Sequence, residues 1–390
     1  MMFDFDRATE RYNTDSLKYD FALKRNMPED VLPLWVADMD FPAPPCVLDA
    51  LTEKSRHGIF GYSDTREDYF EILAHWFQKR FSFTIQPEWL VKTPGVVYAI
   101  ATAIRAFTKP GDSVLIQPPV YYPFSDTILR NRRTLVENPL VMKDGHYEID
   151  FDGFEQAIAD HDVKLFLLCS PHNPVGRVWK KAELKRLGEI CLKHGVNVVA
   201  DEIHQDFVYP GFIHHVFAGL NPEFERIAVT LTAPTKTFNL AGLQISNILI
   251  QDKNVRHLFK EELAASGYSQ PGVMGITACK AAYGQGEPWL NELLSYLQGN
   301  LRYLDAFVKD KLPGVRLITP EGTYLCWLEM RGLPHTAEEV NRLIVHKAKL
   351  WLDDGRMFGT GGEGFQRINI ACPKIILEQA MEKLALALDS

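Results

Sequence analysis

From about residue 45 to 250 the chain alternates short apolar runs with amphipathic stretches. The runs "SVLIQ" (113–117), "VKLFLLC" (163–169), "VNVVA" (196–200), "IAVTLT" (227–232) and "ISNILI" (245–250) are apolar almost throughout, not at every second position. Such runs predict strands covered on both faces. "AELKRLGEICLKHG" (182–195) instead has its apolar residues at helical spacing and ends on glycine, a normal helix stop. Strand and helix in alternation predict an α/β layer with a mostly parallel central sheet flanked by helices. After about residue 285 the pattern changes. A long helical stretch, "EPWLNELLSYLQGNLRYLDAFVKDKL", leads into "VRLIT", "YLCWLEM", a helix near 336–349, "RINIA" and a closing helix. The expectation is a large α/β domain over 46–285 and a smaller α+β domain made of 1–45 and 286–390.

Composition narrows the class without naming the chemistry. In 390 residues, 46% hydrophobic and 24% charged content is ordinary for a soluble globular protein. The formal charge of −8 offers no basic footprint, so no nucleic-acid or membrane partner is expected. The six cysteines are scattered with no C-x-x-C pair, which points to a reducing cytoplasm and away from zinc or disulfides. The start is polar and acidic with no leader pattern, and no apolar run approaches the ~18 residues of a membrane span.

Candidate chemistry gathers at strand ends, where open parallel sheets bind their ligands. "VKLFLLC" runs into "SPHNPVG" and presents Asn173; "VNVVA" runs into "DEIHQD" and presents Asp201 and His204; "IAVTLT" runs into "APTK" and presents Lys236. Each alone is an ordinary cap or turn residue. An amide, a carboxylate and an amine at matched positions make a candidate polar site. "VKTPGVVYAIATAIRAF" adds Pro94 and Gly95 before a long apolar helix, a helix entry whose free N–H groups suit a phosphate. "QPPVYYPF" (117–124) offers an aromatic platform or loop packing. "GTGGEG" (359–364) matches G-x-G-x-x-G, but a strand follows it where a helix is required, so dinucleotide binding is rejected. No phosphate-binding G-x-x-x-x-G-K-[ST] loop, H-E-x-x-H or carboxylate cluster with metal-ligand spacing occurs. A lysine amine, a carboxylate able to hold a ring nitrogen protonated, a flat aromatic and a phosphate cup suit pyridoxal 5'-phosphate.

The chain also resembles the fold-type I pyridoxal-phosphate enzymes of the class I/II aminotransferase superfamily over nearly its whole length. Within them it is most similar to the MalY/PatB-type cystathionine β-lyases, the cysteine-S-conjugate β-lyases. The matching segments are "LPLWVADMDFPAP" (32–44), "SPHNPVGRVW" (170–179), "DEIHQDFVY" (201–209), "APTKTFNLAGLQ" (233–244) and "GGEGFQRINIACP" (361–373). The resemblance implies that Lys236 binds the cofactor covalently and moves the proton at Cα. It implies that Asp201 pairs with the pyridine nitrogen, that Asn173 bonds the ring hydroxyl oxygen, and that Tyr121, chosen over Tyr122 on the family's P-x-Y spacing, stacks on the ring. Gly95, Val96 and Val97 would give N–H groups to the phosphate, with Tyr62 reaching it across a homodimer interface. Arg367, with Asn173, would grip the substrate α-carboxylate.

Three positions depart from the transaminase pattern. Ala233 stands three residues before the lysine where serine is frequent, Gln244 stands eight after it where arginine is frequent, and His204 stands where tyrosine is frequent. Phosphate binding then leans on backbone N–H groups, Thr235 and Thr232, and His204 is carried as a cofactor neighbour. The expected activity is α,β-elimination from L-cystathionine or related L-cysteine S-conjugates to a thiol, pyruvate and ammonia. An aminotransferase on the same fold is the alternative, and a cofactor-binding protein without turnover is a third reading.

Overall fold

The computed structural model describes residues 3–389. Its centre is a seven-stranded sheet made of β1 (Leu90–Thr93), β2 (Ser113–Ile116), β3 (Thr134–Glu137), β4 (Val163–Cys169), β5 (Asn197–Asp201), β6 (Ala228–Thr232) and β7 (Ser246–Leu249). The spatial order is β1-β7-β6-β5-β4-β2-β3. β7 runs antiparallel to both of its neighbours, and every other pair is parallel. The five runs that the pattern picked out are β2, β4, β5, β6 and β7. β6 is buried at every position and β4 at all but one, because helices cover both faces. The pattern passed over β1 and β3. These are the edge strands, where burial alternates or is partial, so they carry no continuous apolar run.

The helices return the chain between parallel strands. α1 (Val96–Phe107) buries Ala99, Ile100, Ala103 and Ile104, spaced three and four apart, and the alanines let it lie close to the sheet. α2 (Lys181–His194) stops where expected: Gly195 adopts φ +67°, and its N–H returns to the last carbonyls of the helix. After α3 (Glu287–Lys311) comes a four-stranded antiparallel sheet of β8 (Arg316–Ile318), β9 (Leu325–Glu329), β10 (Asp353–Asp354) and β11 (Phe365–Asn369), ordered β8-β9-β11-β10. The helix expected near 336–349 is α-helical over Ala337–Arg342 and continues as a π-helical turn over Leu343–Lys347. α4 (Lys374–Leu388) closes the chain. The glycine run lies between a short 3-10 turn and β11, with Gly359, Gly361 and Gly364 all at positive φ. No helix opens on it, in agreement with the rejection of a nucleotide fingerprint.

Before the first large helix, residues 34–41 thread between the two sheets as an extended strap. Leu34 accepts from the Asn369 N–H at 2.9 Å and donates to the Trp351 carbonyl at 2.9 Å. Asn239 binds the far end: its carbonyl takes the Met39 N–H, and its amide donates to the Met39 and Phe41 carbonyls. The strap is thereby tied to β11 on one side and to the loop after β6 on the other. One apolar cluster runs through residues of both sheets, from Val47 and Phe166 to Trp327 and Leu377. No helix among the described residues is long and apolar enough to cross a membrane.

Candidate active site

A cavity of about 160 Å³ opens where β4, β5 and β6 end, beneath the N-terminus of α1. Asp201 is the last residue of β5, and its strand partner in β4 is Cys169. Asn173 lies four residues beyond β4. Lys236 sits in a single helical turn, Pro234–Thr237, directly after β6. Proline at the first position starts that turn, and the buried Thr237 hydroxyl anchors it by donating to Asp206 at 2.8 Å. Asp206 is held in turn by Arg80 at 2.8 Å. Strand ends and a pinned turn thus aim the amide, the carboxylate and the amine into one space. No side chain caps the α1 N-terminus, where Gly95, Val96 and Val97 line the cavity. Its free N–H groups and positive dipole end present an anion site. Thr235 and Tyr121 complete the wall, with Tyr121 braced by Phe124 edge-on at 6.1 Å.

Desolvation sets the protonation states here. Burial pushes the Lys236 amine down to about 8; Asp38 pulls it back up, Arg367 lowers it and Asp201 raises it. Burial pushes Asp201 up to about 7, against the Ile203 N–H, which donates at 3.2 Å, and the charge of Lys236. No cation stands at ion-pair distance from Asp201 among the described residues. A ligand N–H carrying positive charge would supply what this carboxylate lacks, and a pyridinium has that chemistry. His204 is driven down to about 3 by burial, with Lys236 and Arg367 adding to the effect, so its imidazole is neutral. Its Nδ1 has no hydrogen-bond partner, and its ring meets Tyr324 edge-on at 6.0 Å. The Lys236 Nζ donates to the Ala37 carbonyl at 3.5 Å, an oxygen that also accepts the buried Tyr324 hydroxyl at 2.7 Å.

Arg367 lies beside the cavity, joined to it through Asn173, whose Oδ1 accepts from Nη1 at 3.0 Å. Nη2 donates to the Trp35 carbonyl at 2.8 Å and pairs with Asp353, its direct partner in the β10–β11 ladder. The Nε–H is buried without a partner. The guanidinium is therefore rigidly aimed and still has donors to give.

Two expected residues lie elsewhere. Tyr62 is fully exposed and lines a separate open groove with Gln244, and Pro94 lines both that groove and the cavity. Thr232 is a correction: it is buried in β6, where its hydroxyl donates to the Asn247 carbonyl at 2.9 Å, so it has no hydroxyl to offer a phosphate. That carbonyl belongs to its direct partner on the neighbouring strand. Sequence reasoning missed Ala37, Tyr324 and Asp353. "LPLWVADMDFPAP" flagged the first as part of a motif, but nothing local marks the other two, whose partners Ala37 and Arg367 lie on other elements.

The family profile for aminotransferase class I and II matches residues 29–384. The chain belongs to that family. It is 42% identical over 385 residues to the cystathionine beta-lyase PatB of Bacillus subtilis, covering 99% of this chain and 100% of the relative. Cystalysin from Treponema denticola, whose crystal structure contains pyridoxal 5'-phosphate, superposes with a TM-score of 0.96 at 38% identity, over 100% of this chain and 99% of that one. The pyridoxal-phosphate-bound C-S lyase from Staphylococcus hominis superposes at 0.92 with 32% identity, over 100% and 98%. The fold is accordingly the fold-type I aminotransferase fold, and these class I/II relatives are similar to this chain from end to end.

Proposed function

We propose that the protein is a pyridoxal-phosphate-dependent carbon–sulfur β-lyase that converts L-cystathionine or a related L-cysteine S-conjugate to a thiol, pyruvate and ammonia. The observation that carries the reading is the cavity itself, where Lys236 and Asp201 face one space below an uncapped helix N-terminus. When bound, the cofactor supplies an aldehyde for an amine and a ring that takes up the electron pair left at Cα. Lys236 would hold the cofactor and then remove the Cα proton, a task suited to an amine that burial shifts toward its neutral form. Asp201 keeps the ring nitrogen protonated. Asn173 orients the ring oxygen and, with Arg367, the substrate carboxylate. Tyr121 covers the ring face, and the neutral His204 packs nearby without adding charge. The N–H groups of Gly95, Val96 and Val97, with the Thr235 hydroxyl, hold the phosphate.

With the cofactor bound, the pair at Cα would form a Cα=Cβ bond while the Cβ–S pair leaves on the sulfur as thiolate. The remaining fragment hydrolyses to pyruvate and ammonia. A homodimer completes the site by bringing Tyr62 of a second copy to the phosphate; the exposed Phe60 and Tyr62 support this reading. Cytoplasmic residence is supported by six cysteines that all remain free thiols. The test is a visible spectrum of the cofactor-loaded protein, followed by thiol and pyruvate assays on a panel of cysteine conjugates. Pyruvate released by Lys236→Ala at the wild-type rate would overturn the assignment, as would a keto acid formed with retention of sulfur.

A further inference from the structure

A second guanidinium stands at the far end of the strap residue that Arg367 holds. Arg25 lies in a short 3-10 turn, Leu23–Arg25, that ends on left-handed Asn26. Its guanidinium lies over the Trp35 ring, 5.1 Å from the centroid, and the side chain is exposed with no ion-pair partner among the described residues. By contrast, Arg11 holds Asp38 and Asp40, Arg356 holds Asp354, and Arg367 holds Asp353. Trp35 connects the two cations: its carbonyl accepts from Arg367, and its ring, stacked on Trp351 at 4.4 Å, carries Arg25. One tryptophan therefore spaces a buried guanidinium from an exposed one.

Tyr122 stands next to the cavity wall. Its ring meets Tyr121, on the cavity wall, at 5.5 Å and Phe358 at 6.2 Å. Burial raises the Tyr122 hydroxyl, Asp353 raises it further, and both Arg367 and Arg25 act against that rise. The hydroxyl thus sits in the field of both cations. A flat fork stacked on an aromatic face keeps its edge donors free for a carboxylate.

We propose that Arg25 is a specificity-determining residue that takes a carboxylate at the far end of the sulfur substituent, so that the preferred substrates are cysteine S-conjugates whose leaving thiol is itself anionic. The proposal rests on the lyase reading above and adds to it the class of leaving group. An Arg25 that only covered Trp35 would not distinguish a charged substituent from a neutral one of the same shape.

The experiment compares S-(2-carboxyethyl)-L-cysteine with its neutral isostere S-(2-carbamoylethyl)-L-cysteine on the cofactor-loaded wild type, Arg25→Ala and Arg25→Lys. The expected result is that Arg25→Ala loses about fivefold in kcat/KM on the carboxylate, through KM, the size a partly exposed ion pair supplies. The amide substrate is unchanged, Arg25→Lys recovers part of the loss, and added salt erases the difference. Equal losses on both substrates, or less than about twofold on the carboxylate, overturn the proposal. If the wild type releases pyruvate from neither conjugate nor from L-cystathionine, the lyase reading fails separately. The cofactor absorbance titrated with the same two compounds then decides: weaker binding of the carboxylate alone in Arg25→Ala supports the proposal, and equal binding refutes it.

Discussion

Asp201→Asn separates what the active-site carboxylate does for function from what it costs the fold. In the protein without cofactor, Asp201 is buried, with a backbone N–H as its hydrogen-bond donor, and its pKa is raised from 3.8 to about 7. A rise of that size corresponds to roughly 4 kcal/mol between its two protonation states. The native state then binds more protons than the unfolded chain between about pH 4 and 7, so stability falls as pH rises through that window. Asparagine keeps the acceptor for Ile203 and carries no charge. The cofactor-free variant is therefore expected to be more stable than wild type at pH 8 by up to about 4 kcal/mol, a melting shift on the order of 5 °C for a chain of this size. The gain should vanish near pH 4, where Asp201 is protonated in the folded state. Loaded with cofactor, the same variant should lose at least about 100-fold in elimination rate, because a neutral amide does not hold a pyridinium. Scanning calorimetry at pH 4 and pH 8, beside a pyruvate assay, reads both effects. A variant no more stable than wild type at pH 8, or a gain that persists undiminished at pH 4, would refute the reasoning.

Capture of pyridoxal 5'-phosphate by the cofactor-free protein needs the neutral Lys236 amine, so its rate, followed by absorbance, should climb about tenfold per pH unit and level off near pH 8; a midpoint above about 9.5 contradicts the burial argument. Arg367→Lys loses the planar fork between Asn173 and Asp353 and should raise KM by about 10- to 100-fold with a smaller change in kcat, as steady-state kinetics will read. Mixing Tyr62→Ala with the inactive Lys236→Ala should restore activity above that of either alone, since a hybrid dimer holds one complete site; no recovery after subunit exchange removes Tyr62 from the site.

The legible part of the site was the part carried by strand ends. Asn173, Asp201 and Lys236 each follow a run apolar enough to be identified as a buried strand, so their convergence was a consequence of sheet order. Pro94 and Gly95 were visible as a helix entry because a long apolar helix follows them, although the edge strand before them was passed over. Thr232 was misplaced because its hydroxyl is taken by the Asn247 carbonyl of the neighbouring strand, a partner that the local pattern does not show. Asp353 and Tyr324 were invisible: a buried acid is meaningful only beside its cation, and Arg367 lies 14 residues along the chain and on another strand. The strap from residue 34 to 41 has no strand or helix period, since most of its hydrogen bonds go to side chains distant in the chain.

By itself the sequence determined the layer architecture, the five core strands and the residue types at three of their ends, because burial on both faces and helical spacing are local properties of the chain. The tertiary structure alone decided the protonation states of Lys236 and Asp201, the rigid aim of Arg367 and the placing of Tyr62 outside its own chain's cavity. Those depend on desolvation and on charges brought within a few ångströms by the fold, and neither quantity exists until the strands have been ordered and the strap laid across them.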